Sequence, residues 1–182
     1  MSGFPDMARN AARSEAQVLY RLTDGTTAKL YVLSGMKPDW SKLREGFRQV
    51  SNSPKNVDDL LALFEPGRRL RFDLLAMPSK KVSDEGKNSR RVFLSDPDSR
   101  MEWLVRKAGQ AGFRILWCRE EGQSRASVQS RPGTQPTVHT GVVFRGELAV
   151  VDAERFREAF QSGIGPEKAY GMGMLMLFPG GG

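Results

Sequence analysis

The chain has 182 residues, of which 27% are charged and 39% hydrophobic, and this balance indicates a folded globular protein rather than a disordered one. Lysine and arginine outnumber aspartate and glutamate by 28 to 21, an excess that favours polyanionic partners, nucleic acid before anionic membranes. One cysteine, Cys118, and one histidine, His139, exclude an internal disulfide and a zinc site of the usual cysteine and histidine type.

A predicted hairpin comes first along the chain. Residues 17–22 and 28–34 each carry strand-like apolar side chains, and the turn-forming segment 23–27 joins them. Asp39 is then placed to cap a short helix over residues 40–47.

A helical turn and a strand complete this first unit. Residues 57–64 form the helix, Pro66 and Gly67 end it, and residues 68–75 alternate charged with apolar side chains as a half-buried strand does. The first unit therefore has the order strand, strand, helix, strand.

The second half begins with a polar and basic segment, 79–91, which is typical of either a linker or a mobile basic hairpin. We expect a short strand at 91–94, a helix from 95 to 110 and a strand over 113–118.

A second basic segment, 122–138, indicates a hairpin tip before a strand over 141–151. Asp152 caps a helix over 153–161, and a glycine-rich segment then leads to a last strand at 172–178.

This second unit has the order strand, helix, strand, strand, helix, strand, which is that of a ferredoxin-like domain. The first unit has the same order with its opening strand and most of its first helix absent. We therefore predict an α+β protein made of two tandem ferredoxin-like (RRM-like) domains. The N-terminal domain would span 1–82, incomplete at its N-terminus, and the C-terminal domain would span 83–182.

Four glycines and a lysine mark residues 163–173, which we call the glycine loop. Glycine lets a backbone approach a partner closely or take positive φ, and Lys168 among them suits the anionic oxygen of a phosphate. From these residues alone, an ordinary glycine-rich turn before an edge strand is equally open. A nucleotide-binding enzyme is disfavoured, because the loop follows a helix and precedes a strand, the reverse of a Walker or Rossmann loop.

The glycine loop resembles the C-terminal signature of the CasE (Cse-type) CRISPR-associated endoribonucleases of type I-E systems, Gly-Ile-Gly-x-x-Lys-x-x-Gly-x-Gly-Leu-Leu. The matching residues are Gly163, Ile164, Gly165, Lys168, Gly171 and Gly173. Three further stretches are similar to the same family in collinear order: 67–78, 103–113 and 143–148. Met77 departs from the asparagine that is usual in the first of these.

This resemblance implies a protein that binds the hairpin of a CRISPR repeat RNA and cuts the precursor at the 3′ base of that hairpin. The ribose 2′-OH would attack the adjacent phosphate, and the protein would stay bound to the product as part of the Cascade complex. The implied partners are the repeat RNA and other Cascade subunits. The implied chemistry uses no metal and no other cofactor, and the sequence carries no convincing carboxylate cluster for a two-metal site.

The family's catalytic histidine, with a nearby tyrosine, lies on the first helix of the first domain, and no residue here matches them. Residues 1–6 align with the end of that helix. His139 begins a strand at no catalytic position of the family, and Tyr20 and Tyr31 are expected as core or sheet-face residues of the hairpin. No catalytic residue is carried over. Either the reading frame starts upstream of Met1, or the chain is a truncated or degenerate copy that binds RNA without cutting it.

Basic residues cluster in two loops and the terminal glycine turn, and they are the candidates for RNA contact because A-form RNA is gripped mainly through phosphates and shape. They are Lys168 with Gly163, Gly165, Gly171 and Gly173, the loop residues Lys80, Lys81, Lys87, Arg90 and Arg91, and the hairpin arginines Arg125 and Arg131. For each single cation except Lys168 a solvated surface charge is the simpler interpretation, but the clustering favours RNA binding by the set.

No apolar run in the sequence approaches the length of a membrane-spanning helix, and the first residues lack the pattern of a secretory signal. A single cysteine also fits a reducing compartment. We therefore expect a cytoplasmic protein with no membrane partner.

Overall fold

The computed structural model describes residues 17–23, 26–42, 45–46, 48, 50, 54–83, 89–128 and 135–180. Within these ranges it contains eight β-strands and three α-helices. The strands are β1 (Leu19–Thr23), β2 (Lys29–Leu33), β3 (Arg69–Ala76), β4 (Ser79–Val82), β5 (Arg90–Phe93), β6 (Phe113–Val128), β7 (Thr137–Val150) and β8 (Leu175–Pro179). The helices are α1 (Asp58–Ala62), α2 (Pro97–Gln110) and α3 (Ala153–Ser162).

The C-terminal half is built on a four-stranded antiparallel sheet in the order β6–β7–β3–β8. Helix α2 connects β3 to β6 through the β4–β5 hairpin, and α3 connects β7 to β8. The element order within this sheet is therefore βαββαβ, with the first strand lying between the third and the fourth. This is the ferredoxin-like arrangement.

The two long helices cover one face of that sheet because apolar residues alternate along the strands. In β3 the side chains of Leu70, Phe72 and Leu74 point into a core with Leu104 of α2 and Phe156 of α3. Fully burying a side chain of this size contributes about 1.5–3 kcal/mol, so the packing of the helices on this face of the sheet stabilises the domain.

Both long helices begin where the sequence predicts. The carboxylate of Asp96 accepts a hydrogen bond from the backbone N–H of Ser99 at 2.7 Å, and Pro97 follows as the first helical residue. Asp152 accepts hydrogen bonds from the N–H groups of Glu154 and Arg155, both at 3.1 Å. The caps satisfy backbone donors that would otherwise have no partner within the helix.

The structure corrects the assignment of two strands. Strand β3, which the sequence placed at the end of the first unit, pairs with β7 and β8 in the second. Strand β5, expected to open the second unit, pairs with β4 in a separate two-stranded sheet. Strand β3 therefore lies in the same sheet as β6, β7 and β8, and the position of the boundary between the two domains stays a prediction.

Burial explains this correction. The last five residues of β3 are all buried, so both faces of the strand are covered, which is typical of a central strand. Strand β5, in contrast, has two exposed arginines and no buried residue. Strands β6 and β7 are also longer than predicted, because the polar segment after residue 118 continues to pair with β7 as far as Val128, across a register shift between Glu120 and Gln123.

The first unit contains the predicted hairpin, with β1 antiparallel to β2 from Leu19 opposite Leu33 to Thr23 opposite Lys29. The helix expected over 40–47 is a single 3-10 turn at Trp40–Lys42 within the described residues, and residues 43–44 and 47 lie outside them. Helix α1 occupies the predicted position. None of the helices in the described ranges has the length and apolar character needed to cross a membrane.

Candidate nucleic-acid interface

Three segments that carry candidate RNA-binding residues meet at one end of the C-terminal sheet. Strand β3 ends at Ala76 opposite Val142 of β7, and β8 begins with Leu175 opposite Leu74 of β3. The β4–β5 hairpin leaves the sheet at this end, the β6–β7 hairpin extends beyond it, and the glycine loop enters β8 from it. The fold therefore gathers regions that lie far apart in the sequence.

The β6–β7 extension, which we call the arm, pairs Gln123–Val128 with Thr137–Val142. A register shift between Glu120 and Gln123 separates the arm from the sheet, and such a bulge bends and twists the paired strands. Arg125 is exposed on the arm, opposite Thr140. Arg131, the other arginine predicted at this hairpin, lies outside the described residues.

The segment that the sequence left open as a linker or a mobile basic hairpin contains the paired strands β4 and β5, which we call the basic hairpin. It carries four exposed cations: Lys80, Lys81, Arg90 and Arg91. Lys81 lies directly opposite Arg91, and like charges in this position repel each other. An anion bound between them would relieve that repulsion. Lys87, predicted in the same set, lies outside the described residues.

The glycine loop is closed at its neck by backbone hydrogen bonds. The N–H of Ile164 donates to the carbonyl of Gly173 at 2.8 Å, and the N–H of Gly173 donates to the carbonyl of Leu75 at 2.7 Å. The loop is therefore tied both to itself and to β3, close to the point where the arm begins.

The glycines of this loop pack tightly against the rest of the chain. All four have positive φ, and a Cβ on Gly163 would lie 2.9 Å from a methyl of Leu19. A Cβ on Gly171 would lie 2.8 Å from the ring of Tyr20, and one on Gly165 would lie 3.0 Å from the ring of Trp103. The glycines thus have a packing role of their own, and their contact with RNA stays a prediction.

Lys168 begins a 3-10 turn, Lys168–Tyr170, within the glycine loop and is partly buried. The hydroxyl of Tyr20 donates a hydrogen bond to the carbonyl of Ala169 at 2.7 Å and so attaches this turn to β1. The backbone that carries Lys168 is therefore held from two sides, which suits a cation that must meet a ligand in a defined place.

Strand β1 is docked on the C-terminal sheet by a buried ion pair. The guanidinium of Arg21 lies 3.4 Å from Oδ1 of Asp73, and both side chains are almost completely buried. Arg145 binds Oδ2 of the same carboxylate at 2.7 Å, and the hydrogen bond to Asp73 raises the pKa of Arg145, with Glu121 contributing further negative charge. This network positions Tyr20 against the glycine loop.

A second carboxylate on the same face of the sheet, Glu147, accepts hydrogen bonds from Nε of Arg69 at 2.8 Å and from Nε1 of Trp117 at 3.2 Å. These two donors, Arg69 first, lower the pKa of Glu147. Cys118 follows Trp117 in β6 and lies opposite Gly146 of β7. Burial, together with the negative charge of Glu120, raises the pKa of its thiol to about 11.

His139 has partners that the sequence did not reveal. Its Nδ1 lies 2.9 Å from Oε2 of Glu167, and its ring stacks on Tyr170 with centroids 3.7 Å apart and an angle of 18° between the planes. Both partners belong to the glycine loop, whereas His139 belongs to the arm. No local pattern could signal this contact, because only the fold brings the two segments together.

Within the part of the chain that the structure describes, no group of three or more histidine, cysteine, aspartate or glutamate side chains is placed to hold a metal ion.

A ferredoxin-like sheet with a basic hairpin, an extended arm and a lysine-bearing loop at one end defines an RRM-like protein with a candidate RNA-binding surface. The family model described as CRISPR associated protein matches residues 1–179, and the chain belongs to this family.

The chain is 38% identical over 157 residues to the CRISPR-associated endoribonuclease Cse3 of Thermus thermophilus, covering 79% of this chain and 69% of that protein. It is 34% identical over 121 residues to the CRISPR system Cascade subunit CasE of Escherichia coli K12, covering 62% of this chain and 59% of the relative. A solved structure of CRISPR endoribonuclease Cse3 bound to 19 nt RNA matches with a TM-score of 0.76 and 30% identity, covering 98% of this chain and 97% of that one.

These similarities confirm two predictions from the sequence, namely the resemblance to the CasE family and the α+β fold with tandem ferredoxin-like domains.

Proposed function

We propose that this protein binds the hairpin of a CRISPR repeat RNA and acts in the maturation of CRISPR RNA. It cuts the precursor at the 3′ base of the hairpin and stays bound to the product as a subunit of the Cascade complex. The observation that carries this proposal is the meeting of the basic hairpin, the arm and the glycine loop at one end of the sheet. The relatives named as an endoribonuclease, as a Cascade subunit and as an RNA complex support it.

The shape of this surface suits a double-stranded RNA stem. The major groove of A-form RNA is deep and narrow, so a protein grips the stem mainly through its phosphates. The arm is a narrow projecting ribbon that can follow a groove, and the four cations of the basic hairpin can pair with phosphates beside it. Lys168 lies on the loop between the arm and β8, where it can meet a further phosphate.

The cleavage step in this proposal is attack of a ribose 2′-oxygen on the adjacent phosphorus. Such a reaction needs a proton acceptor at the 2′-OH and positive charge near the phosphate, and it proceeds without a cofactor. The proposed partners are the repeat RNA and the other Cascade subunits, and the proposed place of action is the cytoplasm, where the precursor is transcribed.

The experiment that tests the proposal incubates the full chain with the cognate repeat RNA hairpin and follows both complex formation and cleavage. If the protein contacts 6–10 phosphates, the affinity should fall roughly 10³–10⁵-fold between about 50 and 200 mM salt. A complex without a cleaved product would support the proposed RNA binding and contradict the proposed nuclease activity. If the protein does not bind the hairpin in preference to an unrelated stem, the whole proposal is wrong.

Lys168→Ala should weaken hairpin binding, and the slope of log affinity against log salt should become shallower by about 0.9 if Lys168 neutralises one phosphate. The matched control is Lys42→Ala, which removes an equally charged side chain that is exposed and pairs with Asp39. Equal losses in the two variants would show that net charge, and not the glycine loop, determines the affinity.

A further inference from the structure

One face of the arm lies on the glycine loop. His139 and Gly141 are two residues apart in β7, so they belong to the same face of the arm. The ring of His139 stacks on Tyr170 of the loop with centroids 3.7 Å apart, and its Nδ1 lies 2.9 Å from Oε2 of Glu167. A Cβ on Gly141 would lie 3.1 Å from Cε of Met172, a loop residue that is only 1% exposed. The loop therefore approaches this face of the arm at both positions.

The opposite face of the arm carries the candidate RNA-binding arginine. Residues directly opposite each other in an antiparallel pair lie on the same face, and Arg125 is opposite Thr140. Thr140 lies between His139 and Gly141 and so belongs to the face away from the loop. Arg125 is exposed there, and Val138 on the same face is 56% exposed. The arm is thus backed by the loop on one side and open to a ligand on the other.

The arm needs a support because it leaves the sheet at a bulge. The register shift between Glu120 and Gln123 interrupts the pairing where the arm begins, and a bulge bends the strands there. Below the bulge, Arg100 holds Glu120 through hydrogen bonds of 2.9 and 2.7 Å. Beyond it, His139 lies further out along β7 than Val142, by about 10 Å at the usual strand spacing. A contact at His139 therefore fixes the direction of the arm past the point where it bends.

The part of the loop that contacts His139 is itself held in place. The hydroxyl of Tyr20 donates a hydrogen bond to the carbonyl of Ala169 at 2.7 Å, and the N–H of Tyr170 donates to the carbonyl of Glu167 at 2.9 Å. Glu167 has a φ of 63°, in the left-handed region where residues other than glycine persist only if the surrounding structure holds them. The side chains of His139 and Glu167 are only 14% and 21% exposed. The arm therefore rests on a fixed base.

We propose that the glycine loop is a strut that fixes the direction of the arm and that His139 is the positioning residue through which the strut acts. In this direction Arg125 and Lys168 can meet phosphates of the same RNA stem at once. Affinity falls when the binding-competent conformation is only partly populated, so a loosened arm weakens RNA binding without removing a contact. This inference rests on the proposed function and gives the loop a role besides the phosphate contact of Lys168.

The test makes two measurements on the full chain and on His139→Ala. The first is the Kd for the cognate repeat hairpin between about 50 and 200 mM salt, and the second is hydrogen exchange of backbone amides without RNA. Loss of the stack on Tyr170 should raise the Kd about 2–10-fold, the change that the energy of an aromatic pair produces. The slope of log affinity against log salt should stay the same, because the number of phosphate contacts is unchanged. Amides of the arm should exchange faster, whereas those of β3 should stay as protected as in the wild type.

Three further variants separate positioning from other roles. His139→Phe keeps a flat ring for Tyr170 and should bind the hairpin within about twofold of the wild type. Tyr170→Ala should reproduce the loss seen in His139→Ala, and the double variant should lose no more, because both changes remove the same contact. Val151→Ala is the control, since Val151 is exposed and follows the opposite end of β7, so that affinity and exchange should not change.

Unchanged affinity or unchanged exchange of the arm in His139→Ala overturns the inference and leaves the proposed function standing. A shallower salt slope that His139→Phe does not restore also overturns it, because His139 would then meet a phosphate itself. Faster exchange in β3 as well as in the arm overturns it too, since His139 would then stabilise the whole sheet. A wild-type chain that does not bind the hairpin refutes the proposed function and, with it, the role of the strut in RNA binding.

Discussion

Gly163, at the end of α3, is the residue of the glycine loop whose replacement has the clearest consequence. Its φ of 80° and ψ of 158° lie in a region that is open essentially to glycine alone. A Cβ there would lie 2.9 Å from Cδ2 of Leu19 and 3.0 Å from the carbonyl oxygen of Gly173. Gly163→Ala therefore strains the backbone and also forces apart the loop and β1.

The size of this effect follows from its two parts. A residue other than glycine in this region costs about 1–3 kcal/mol. Crowding by one added methyl in a packed position costs typically about 1–3 kcal/mol. The free energy of unfolding should fall by about 2–6 kcal/mol, a large share of the roughly 5–15 kcal/mol that stabilises a domain.

Gly109→Ala provides the matched control, because Gly109 lies within α2, its φ is not positive and a Cβ there meets nothing within 4 Å. Alanine favours the helix over glycine by about 0.5–1 kcal/mol, so this variant should be slightly more stable. Urea unfolding followed by circular dichroism measures both variants. A Gly163→Ala protein within about 1 kcal/mol of the wild type would refute this account of the loop.

Three other predictions concern polar side chains of the C-terminal sheet. Asp73→Ala removes the carboxylate paired with buried Arg21 and should lower the free energy of unfolding by about 3–5 kcal/mol in urea titrations; a near-neutral result would show that the pair does not dock β1. Cys118, whose thiol pKa is raised to about 11, should react with a thiol reagent at pH 8 about 10²-fold more slowly in the native than in the unfolded protein. Because the pKa of Glu147 is lowered in the folded protein, its carboxylate stabilises the fold at pH values above the pKa that it has in the unfolded chain. This stabilisation is lost as the pH falls through the pKa of Glu147 in the folded protein. Acid titration should therefore change Trp117 emission in the wild type, and Glu147→Gln should abolish that step.

Local signals in the sequence predicted much of this fold. The cap at Asp152 and the β1–β2 hairpin depend on neighbouring residues, and the structure contains both. Strand pairing depends on partners far along the chain. Alternating apolar residues identified β3 as a strand, but they could not tell that it lies between β7 and β8.

In the candidate site, too, the sequence predicted features that depend on residue type but not contacts between distant segments. Lysine and glycine composition marked the glycine loop and the basic hairpin, because close backbone approach and positive charge each require particular residue types. The polar composition after residue 118 resembled a loop, and only pairing with β7 makes it an arm. The contact between His139 and Glu167 joins a strand to a distant loop, so a single sequence carries no signal for it.

Recognition and cleavage of the repeat RNA are tested together in one assay, in which the full chain is mixed with its cognate CRISPR repeat hairpin. We expect a salt-sensitive complex and a single cut at the 3′ base of the hairpin, with binding weakened by Lys168→Ala and unchanged by Lys42→Ala. A chain that binds the repeat no better than an unrelated stem, and cuts neither, would contradict the proposed function.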